Sequence, residues 1–181
     1  MRVISGTVRG RKLKKVPDIG VRPTSDKIKE SVFNIVQFDV EGRRVLDLFA
    51  GTGQLGIEAA SRGAKNVVFV DSNPEAVKLV WQNLKLCGFA DFASVQNRDA
   101  LKFLEGDSNV FDLIFIDPPY DAPQLVSESL YRILRIDKLN KNGIIICELK
   151  ADTPAPKVTA PYFLHKEYKY GSTKIVRYDK M

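Results

Sequence analysis

The 181-residue sequence has little cysteine, little histidine and no long hydrophobic run. Two cysteines, Cys87 and Cys147, are too few for a disulfide framework or a zinc cluster, and both lie among apolar residues. A single histidine excludes histidine-rich metal sites, so we predict no metal. No apolar run approaches the ~20 residues of a membrane span, and the first residues lack the apolar core of a signal peptide. We therefore expect no membrane partner and a cytoplasmic location.

The net positive charge is confined to one part of the chain. The formal net charge is +6, and residues 1–30 hold nine basic side chains against three acidic ones, whereas the rest of the chain is neutral. A basic segment on a neutral globule indicates a polyanionic partner, with nucleic acid the first choice. The side chains expected to contact phosphates are Arg9, Arg11, Lys12 and Lys14.

The hydrophobic pattern predicts one α/β domain. From residue 44 onward, strand-like and helical segments alternate, which is typical of a doubly wound, mostly parallel sheet. Two strand-like segments joined by Gly171-Ser172 predict a C-terminal antiparallel hairpin. We divide the chain into a basic N-terminal arm with a first helix, 1–40, belonging to the same domain, and a core, 41–181. The beginning of the arm fits either a small β-hairpin or a loose segment.

The individual elements follow from periodicity and capping residues. The predicted strands are 45–49, 66–70, 92–95, 111–116, 143–149, 163–169 and 174–178. The predicted helices begin at Thr24 or Ser25, after Gly53, at Pro74 behind an Asn73 cap, at Asp99 and near Leu125.

Polar residues follow several predicted strands, where open α/β sheets bind ligands. Gly51 and Gly53 permit a close backbone approach, although an ordinary turn would have the same glycines. Asp71 follows Gly51 by 20 residues, a spacing that suits a carboxylate binding ribose hydroxyls, unless it caps the next helix in competition with Asn73. Asp99 either faces a ligand or caps its own helix.

The segment Asp117-Pro118-Pro119-Tyr120 is the most informative of these strand ends. Two prolines directly after a buried strand fix the backbone and remove two N–H donors. A carboxylate, exposed carbonyls and an aromatic ring then lie together, which suits a planar base with an exocyclic amino group.

These motifs resemble known ones. The segment 47–53 resembles the first motif of class I S-adenosylmethionine-dependent methyltransferases, and 117–120 resembles the [DN]-P-P-[FYW] motif of those that methylate amino groups of adenine or guanine. The segments 2–6, 9–13, 22–26 and 30–34 resemble the RsmD family, the guanine-N2 methyltransferases of small-subunit ribosomal RNA. The resemblance covers nearly the whole chain. Tyr120 stands where some members have Phe, and the proline-rich stretch 151–162 has no clear match.

The resemblance implies a Rossmann-like, seven-stranded, mostly parallel sheet with helices on both faces. It implies S-adenosylmethionine as cofactor, S-adenosylhomocysteine as product, and small-subunit ribosomal RNA or the assembling small subunit as partner of a monomeric enzyme. The implied cofactor-binding residues are Asp47, Phe49, Ala50, Gly51, Thr52, Gly53, Gly56, Asp71, Ser72, Asp99, Ala100, Arg22 and Thr24. The implied catalytic residues are Asp117, Pro118, Pro119 and Tyr120.

Three alternatives stay open at this point. An adenine-N6 methyltransferase acting on DNA or another RNA would use the same four-residue motif. A nicotinamide-dependent oxidoreductase would use the glycine-rich turn, but Asp47 precedes the glycines inside the strand and no proton relay for hydride transfer is evident. A non-catalytic RNA-binding module would have no use for the 117–120 motif.

Overall fold

The structure, a computed structural model, describes residues 1–15 and 25–181. The seven strands are β1 Arg44–Asp47, β2 Asn66–Asp71, β3 Ala93–Asn97, β4 Phe111–Ile116, β5 Leu139–Lys150, β6 Tyr162–Tyr170 and β7 Thr173–Lys180. The five α-helices are α1 Asp26–Ile35, α2 Gln54–Ser61, α3 Pro74–Cys87, α4 Ala100–Gly106 and α5 Gln124–Arg135. The strands form one sheet in the order β3-β2-β1-β4-β5-β7-β6, in which β7 runs opposite to the other six.

Helices cover both faces of this sheet, as predicted. One buried cluster lies between the sheet and α1, α2 and α3, and a second lies between the sheet and α4 and α5. Successive residues of the central strands alternate between the clusters: Phe115 belongs to the first, whereas Ile114 and Ile116 belong to the second. Both faces of the central parallel strands β1, β2 and β4 are therefore buried, which explains their near-continuous apolar sequences.

Helix boundaries follow the capping residues. Ser25 begins α1, its hydroxyl accepting a hydrogen bond from the Ile28 N–H at 3.2 Å. The Asn73 side chain caps α3 at the Glu75 N–H, Pro74 is the first helical residue, and Gly88 ends the helix with φ +75°. The predictions for Ser25, Asn73 and Pro74 are confirmed because each depends on local backbone chemistry.

Strand β5 begins four residues before its predicted start at residue 143. Leu139 pairs with Phe111, and a register shift follows before Leu113 pairs with Ile144. Asn142 takes φ +61° within this irregular stretch. The predicted strand covered only the apolar residues from 143 onward, and pairing to β4 extends it backwards across the irregularity.

The described part of the basic arm forms a compact hairpin-like loop rather than a loose segment. Arg2 and Lys12 form an antiparallel bridge, and the N–H of Val3 bonds to the Arg11 carbonyl at 2.9 Å. Val3 and Leu13 are buried in the same cluster as α1, α2 and α3. The domain division at residue 40 stays a prediction. No helix in the described part of the chain is long and apolar enough to cross a membrane.

Candidate active site

Three carboxylates lie at the same edge of the sheet because they follow three adjacent parallel strands. Asp47 ends β1, Asp71 ends β2 and Asp117 directly follows β4, with β1 between the other two. This edge is where the strand order reverses, the position at which open α/β sheets bind ligands.

The glycine-rich turn between β1 and α2 has a backbone that requires its glycines. Gly51 has φ +52° and Gly53 has φ +77°, a region that L-residues with a Cβ rarely occupy. The N–H of Gly51 donates to Oδ2 of Asp71 at 2.8 Å. The turn after β1 is thereby tied to the end of β2.

Asp71 has the right chemistry to hold a ribose. Its Oδ1 also accepts a hydrogen bond from the Asn73 N–H at 2.8 Å, and the residue is half-buried. Because a carboxylate offers about four lone-pair sites, these two N–H groups leave acceptor capacity for two vicinal hydroxyls. The residues present therefore fit the nucleoside part of the cofactor.

Asp47 lies beneath the turn and is only 2% exposed. Its Oδ2 accepts a hydrogen bond from the Gly56 N–H at 2.9 Å. Burial, with smaller contributions from the negative charges of Asp117 and Asp71, raises the pKa of Asp47 to about 7, although the hydrogen bond from Gly56 acts in the opposite direction. A cation bound at this edge would favour the ionised form of Asp47.

The structure places Gly56 inside α2, facing the sheet. A Cβ added there would lie 2.2 Å from the ring of Phe69. The absence of a side chain thus permits close packing of α2 on β2 and presents the Gly56 N–H to Asp47. Its predicted contact with the cofactor stays a prediction.

The other predicted cofactor residues surround the same edge. Ala50 is buried, Phe49 is half-buried and Ser72 is exposed. Thr52 is buried, and its carbonyl accepts a hydrogen bond from the Asn83 side-chain amide at 3.1 Å. The predicted residues Arg22 and Thr24 lie outside the described residues.

Asp99 caps the helix that follows β3. Its Oδ1 accepts from the Lys102 N–H at 2.9 Å at the start of α4. Asp99 is exposed and Ala100 is buried. The capping alternative is confirmed for Asp99, and a contact from either residue to adenine stays a prediction.

The 117–120 segment brings its aromatic ring to the end of β5. Pro118 is buried and Pro119 exposed, while the Tyr120 ring remains 39% exposed. The Tyr120 hydroxyl donates to Oε1 of Glu148 at 2.8 Å and lies 3.1 Å from Oγ1 of Thr173. Burial, together with the neighbouring carboxylates, raises the pKa of Tyr120, so the hydroxyl stays protonated. The ring therefore has a defined orientation and an accessible face.

The basic arm is anchored on α2 by polar groups. Glu58, fully buried, accepts from the N–H groups of Ile4 and Ser5 at 2.7 and 2.9 Å. Lys29 and Arg62 form ion pairs with the same carboxylate at 3.7 and 2.9 Å. The predicted RNA-binding side chains remain exposed: Arg9, Arg11, Lys12 and Lys14.

A buried side chain of α3 connects the arm to the glycine-rich turn. Asn83 on α3 is fully buried. Its Oδ1 accepts from the Lys14 N–H at 2.8 Å, and its Nδ2 donates to the carbonyls of Lys14 and Thr52. The end of the described arm therefore lies beside the candidate site.

Sequence reasoning gave no role to Glu58, Asn83 or Glu148. Glu58 and Glu148 are polar residues within otherwise apolar stretches of α2 and β5, whereas Asn83 lies beside Gln82 in the mixed sequence of α3. A buried polar group needs a partner, and this was the signal available in the sequence. Apart from Arg62, which lies four residues from Glu58, the partners named above lie 28 to 69 residues away.

Comparison with known proteins identifies the family. Residues 1–179 match the family described as Conserved hypothetical protein 95. The chain belongs to this family. YlbH of Bacillus subtilis is 39% identical over 99% of both chains. The Ribosomal RNA small subunit methyltransferase D of Haemophilus influenzae is 36% identical, over 85% of this chain and 81% of that protein.

Solved structures share the fold. A protein from Escherichia coli is 30% identical and superimposes with a TM-score of 0.89 over 99% of this chain and 97% of its own. An RNA methyltransferase from Salinibacter ruber, in complex with S-adenosyl-L-homocysteine, is 16% identical, with a TM-score of 0.67 over 88% of this chain and 94% of its own. The fold is that of class I methyltransferases, as the sequence motifs implied.

Proposed function

We propose that this protein transfers the methyl group of S-adenosylmethionine to the exocyclic N2 amino group of a guanine in small-subunit ribosomal RNA. The arrangement of Asp117, Pro118 and Tyr120 beside the glycine-rich turn carries the proposal. It places amine acceptors and an aromatic ring at the edge where Asp47 and Asp71 lie. The family of the chain, with relatives named as methyltransferases of this RNA, supports the same activity.

S-adenosylmethionine is the cofactor of this enzyme. When bound, it supplies an activated methyl group on a sulfonium. The chain holds it through the turn 51–53 and the carboxylate of Asp71, while Asp47 adds negative charge below the turn. These groups orient the cofactor and need not donate or accept a proton during transfer.

Residues 117–120 act on the less reactive of the two reactants, which is the amine of the base. The lone pair of a guanine N2 is delocalised into the ring and is a poor nucleophile. Hydrogen bonds from this amine to the Asp117 carboxylate and the Pro118 carbonyl favour a pyramidal nitrogen and fix its direction. Such positioning can supply ~7–11 kcal/mol of a barrier. Stacking on Tyr120 adds roughly 1–3 kcal/mol to binding of the unstacked base.

The arm contributes to RNA affinity through phosphate contacts, which do not depend on the base sequence of the RNA. Its exposed cations lie on a loop anchored by buried groups, so they face solvent in a fixed arrangement. Replacing Arg9, Arg11, Lys12 and Lys14 by glutamine should weaken RNA binding and reduce the slope of log affinity against log salt by up to ~3. A slope equal to that of the wild type would contradict the role of the arm, and unchanged cofactor binding is the control.

Labelled-methyl transfer to small subunits from a strain lacking the enzyme tests the activity directly. Mapping of the modified nucleotide should show N2-methylguanine at one position. Methylation at N6 of adenine would replace the proposal by the alternative that shares the motif. Parallel assays on naked RNA and on assembled subunits identify the substrate form. The cytoplasmic location and the monomeric state remain predictions.

A further inference from the structure

Glu148 lies next to the group proposed to bind the target amine. Ile116 of β4 pairs with Cys147 of β5 in parallel register, so Asp117 and Glu148 follow at the same level of adjacent strands. The residues two positions earlier, Phe115 and Ile146, both point into the first buried cluster. By the two-residue period of strands, Asp117 and Glu148 lie on that same face of the sheet.

The carboxylate of Glu148 is held in a defined position and remains half-buried. The Tyr120 hydroxyl donates to its Oε1 at 2.8 Å and also lies 3.1 Å from the Thr173 hydroxyl. Asp117, Tyr120 and Glu148 line one cleft. The ring available for stacking and this second acceptor are therefore joined by a direct hydrogen bond.

A flat base that places its amine at Asp117 can turn towards Glu148 the ring nitrogen that lies beside the amine on the Watson–Crick edge, which is N1 in both guanine and adenine. In guanine that nitrogen, N1, carries a hydrogen and is a donor. In adenine the N1 beside the N6 amine is an acceptor. A carboxylate at this position is complementary to guanine and repels adenine.

We propose that Glu148 accepts the N1–H of the target guanine and thereby makes the enzyme select guanine over adenine. This inference rests on the proposed function and adds to it the residue that sets base specificity. The motif 117–120 holds an amino group of either base; Glu148 distinguishes the ring nitrogen beside it.

RNA carrying 2,6-diaminopurine at the target position provides the test. This base keeps the 2-amino group but has an unprotonated N1. The wild type should transfer methyl groups to guanine with a kcat/KM about 100-fold higher than to diaminopurine, because two acceptors would face each other. Equal kcat/KM values for the two bases would overturn the proposal without any substitution.

The Glu148→Gln variant locates the effect at one side chain. Its amide can donate to an unprotonated N1 and can still accept from Tyr120, so the guanine preference should fall to within a few-fold. An unchanged preference would assign the discrimination to another contact, such as one to the base oxygen, and would overturn the proposal. Cofactor affinity measured by calorimetry confirms that the variant is folded.

Tyr120→Phe is the matched control. It removes the bond to Glu148 but leaves the carboxylate, so it should lower kcat/KM for both bases by similar factors. If Glu148 only positioned Tyr120, Glu148→Gln would likewise leave the base preference unchanged. A wild type that methylates neither base at N2 contradicts the proposed function itself, which separates that failure from failure of this inference.

Discussion

The two halves of the candidate site are built from different kinds of hydrogen bond. In the cofactor half, Asp47, Asp71 and Asp99 each accept a bond from a backbone N–H. In the base half, the Tyr120 hydroxyl contacts the side chains of Glu148 and Thr173. Backbone groups set the shape of the first half, and side chains set that of the second.

This difference determines how each half of the site should respond to substitution. A carboxylate bound to backbone N–H groups forms part of the main-chain fold, so its replacement disturbs both a turn and a ligand contact. A side chain bound to another side chain can be replaced while the main chain stays in place. We therefore expect selectivity to be altered more readily on the Asp117 side than on the Asp71 side.

Replacement of Asp117 by alanine should give the largest effect. Methyl transfer should fall by about 1,000-fold or more, because the amine loses the acceptor that orients it. Cofactor affinity, measured by calorimetry, should change by less than about threefold, since the described residues predicted to bind the cofactor lie in or after β1, β2 and β3, whereas Asp117 follows β4. Turnover close to that of the wild type would contradict the role assigned to Asp117.

Asp47→Asn tests the buried carboxylate of the cofactor half through stability. The folded state raises the pKa of Asp47 to about 7 from 3.8, so ionisation costs stability as the pH rises between these values. The asparagine keeps an acceptor for the Gly56 N–H and avoids that cost. The free energy of unfolding of the cofactor-free variant, relative to wild type, should increase by about 2–3 kcal/mol between pH 5 and pH 8.

Denaturant titrations at the two pH values make this measurement. Asp99→Asn is the matched control, because it changes an acid to an amide at an exposed helix cap. A stability difference for Asp47→Asn that does not vary with pH would show that the carboxylate is not under strain from burial.

Asp71→Ala should weaken cofactor binding by about 10–100-fold, because both the ribose acceptor and the anchor of the Gly51 N–H are lost. RNA affinity should stay unchanged. Calorimetric titration with S-adenosylhomocysteine checks the first expectation, and a filter-binding assay checks the second. An equal loss for Asp99→Ala would contradict the distinction between a ribose acceptor and a helix cap.

Tyr120 should show the smallest effect when only its hydroxyl is removed. Tyr120→Phe keeps the ring but loses its bonds to Glu148 and Thr173, so kcat/KM should fall about 3–10-fold. In Tyr120→Ala, kcat/KM should fall further, by about 10–100-fold, because stacking of the base on the ring is lost. Equal losses for the two variants would show that the hydroxyl, rather than the ring, carries the function.

The sequence predicted what depends on local chemistry. Asn73 and Ser25 cap their helices as expected, and the alternation of strands and helices correctly gave a parallel sheet with a C-terminal antiparallel hairpin. Glycines at 51 and 53 correctly indicated an unusual backbone.

Contacts between distant segments could not be predicted. Glu58 bonds to residues 53 and 54 positions earlier, and nothing in the spacing identifies them. Glu148 lies in an apolar strand, and the motif 117–120 gives no indication of its hydrogen bond with Tyr120. The backward extension of β5 to Leu139 depends on pairing with Phe111, which the polar sequence of that stretch does not indicate.

The buried carboxylate of Glu58 also implies an order of assembly. The arm bonds to α2, and the position of α2 depends on packing of Gly56 against Phe69 on the sheet. We therefore expect the arm to dock after α2 has packed on the sheet. In hydrogen exchange, we expect the amides of Ile4 and Ser5 to exchange through local opening, well before the amides of the central strands.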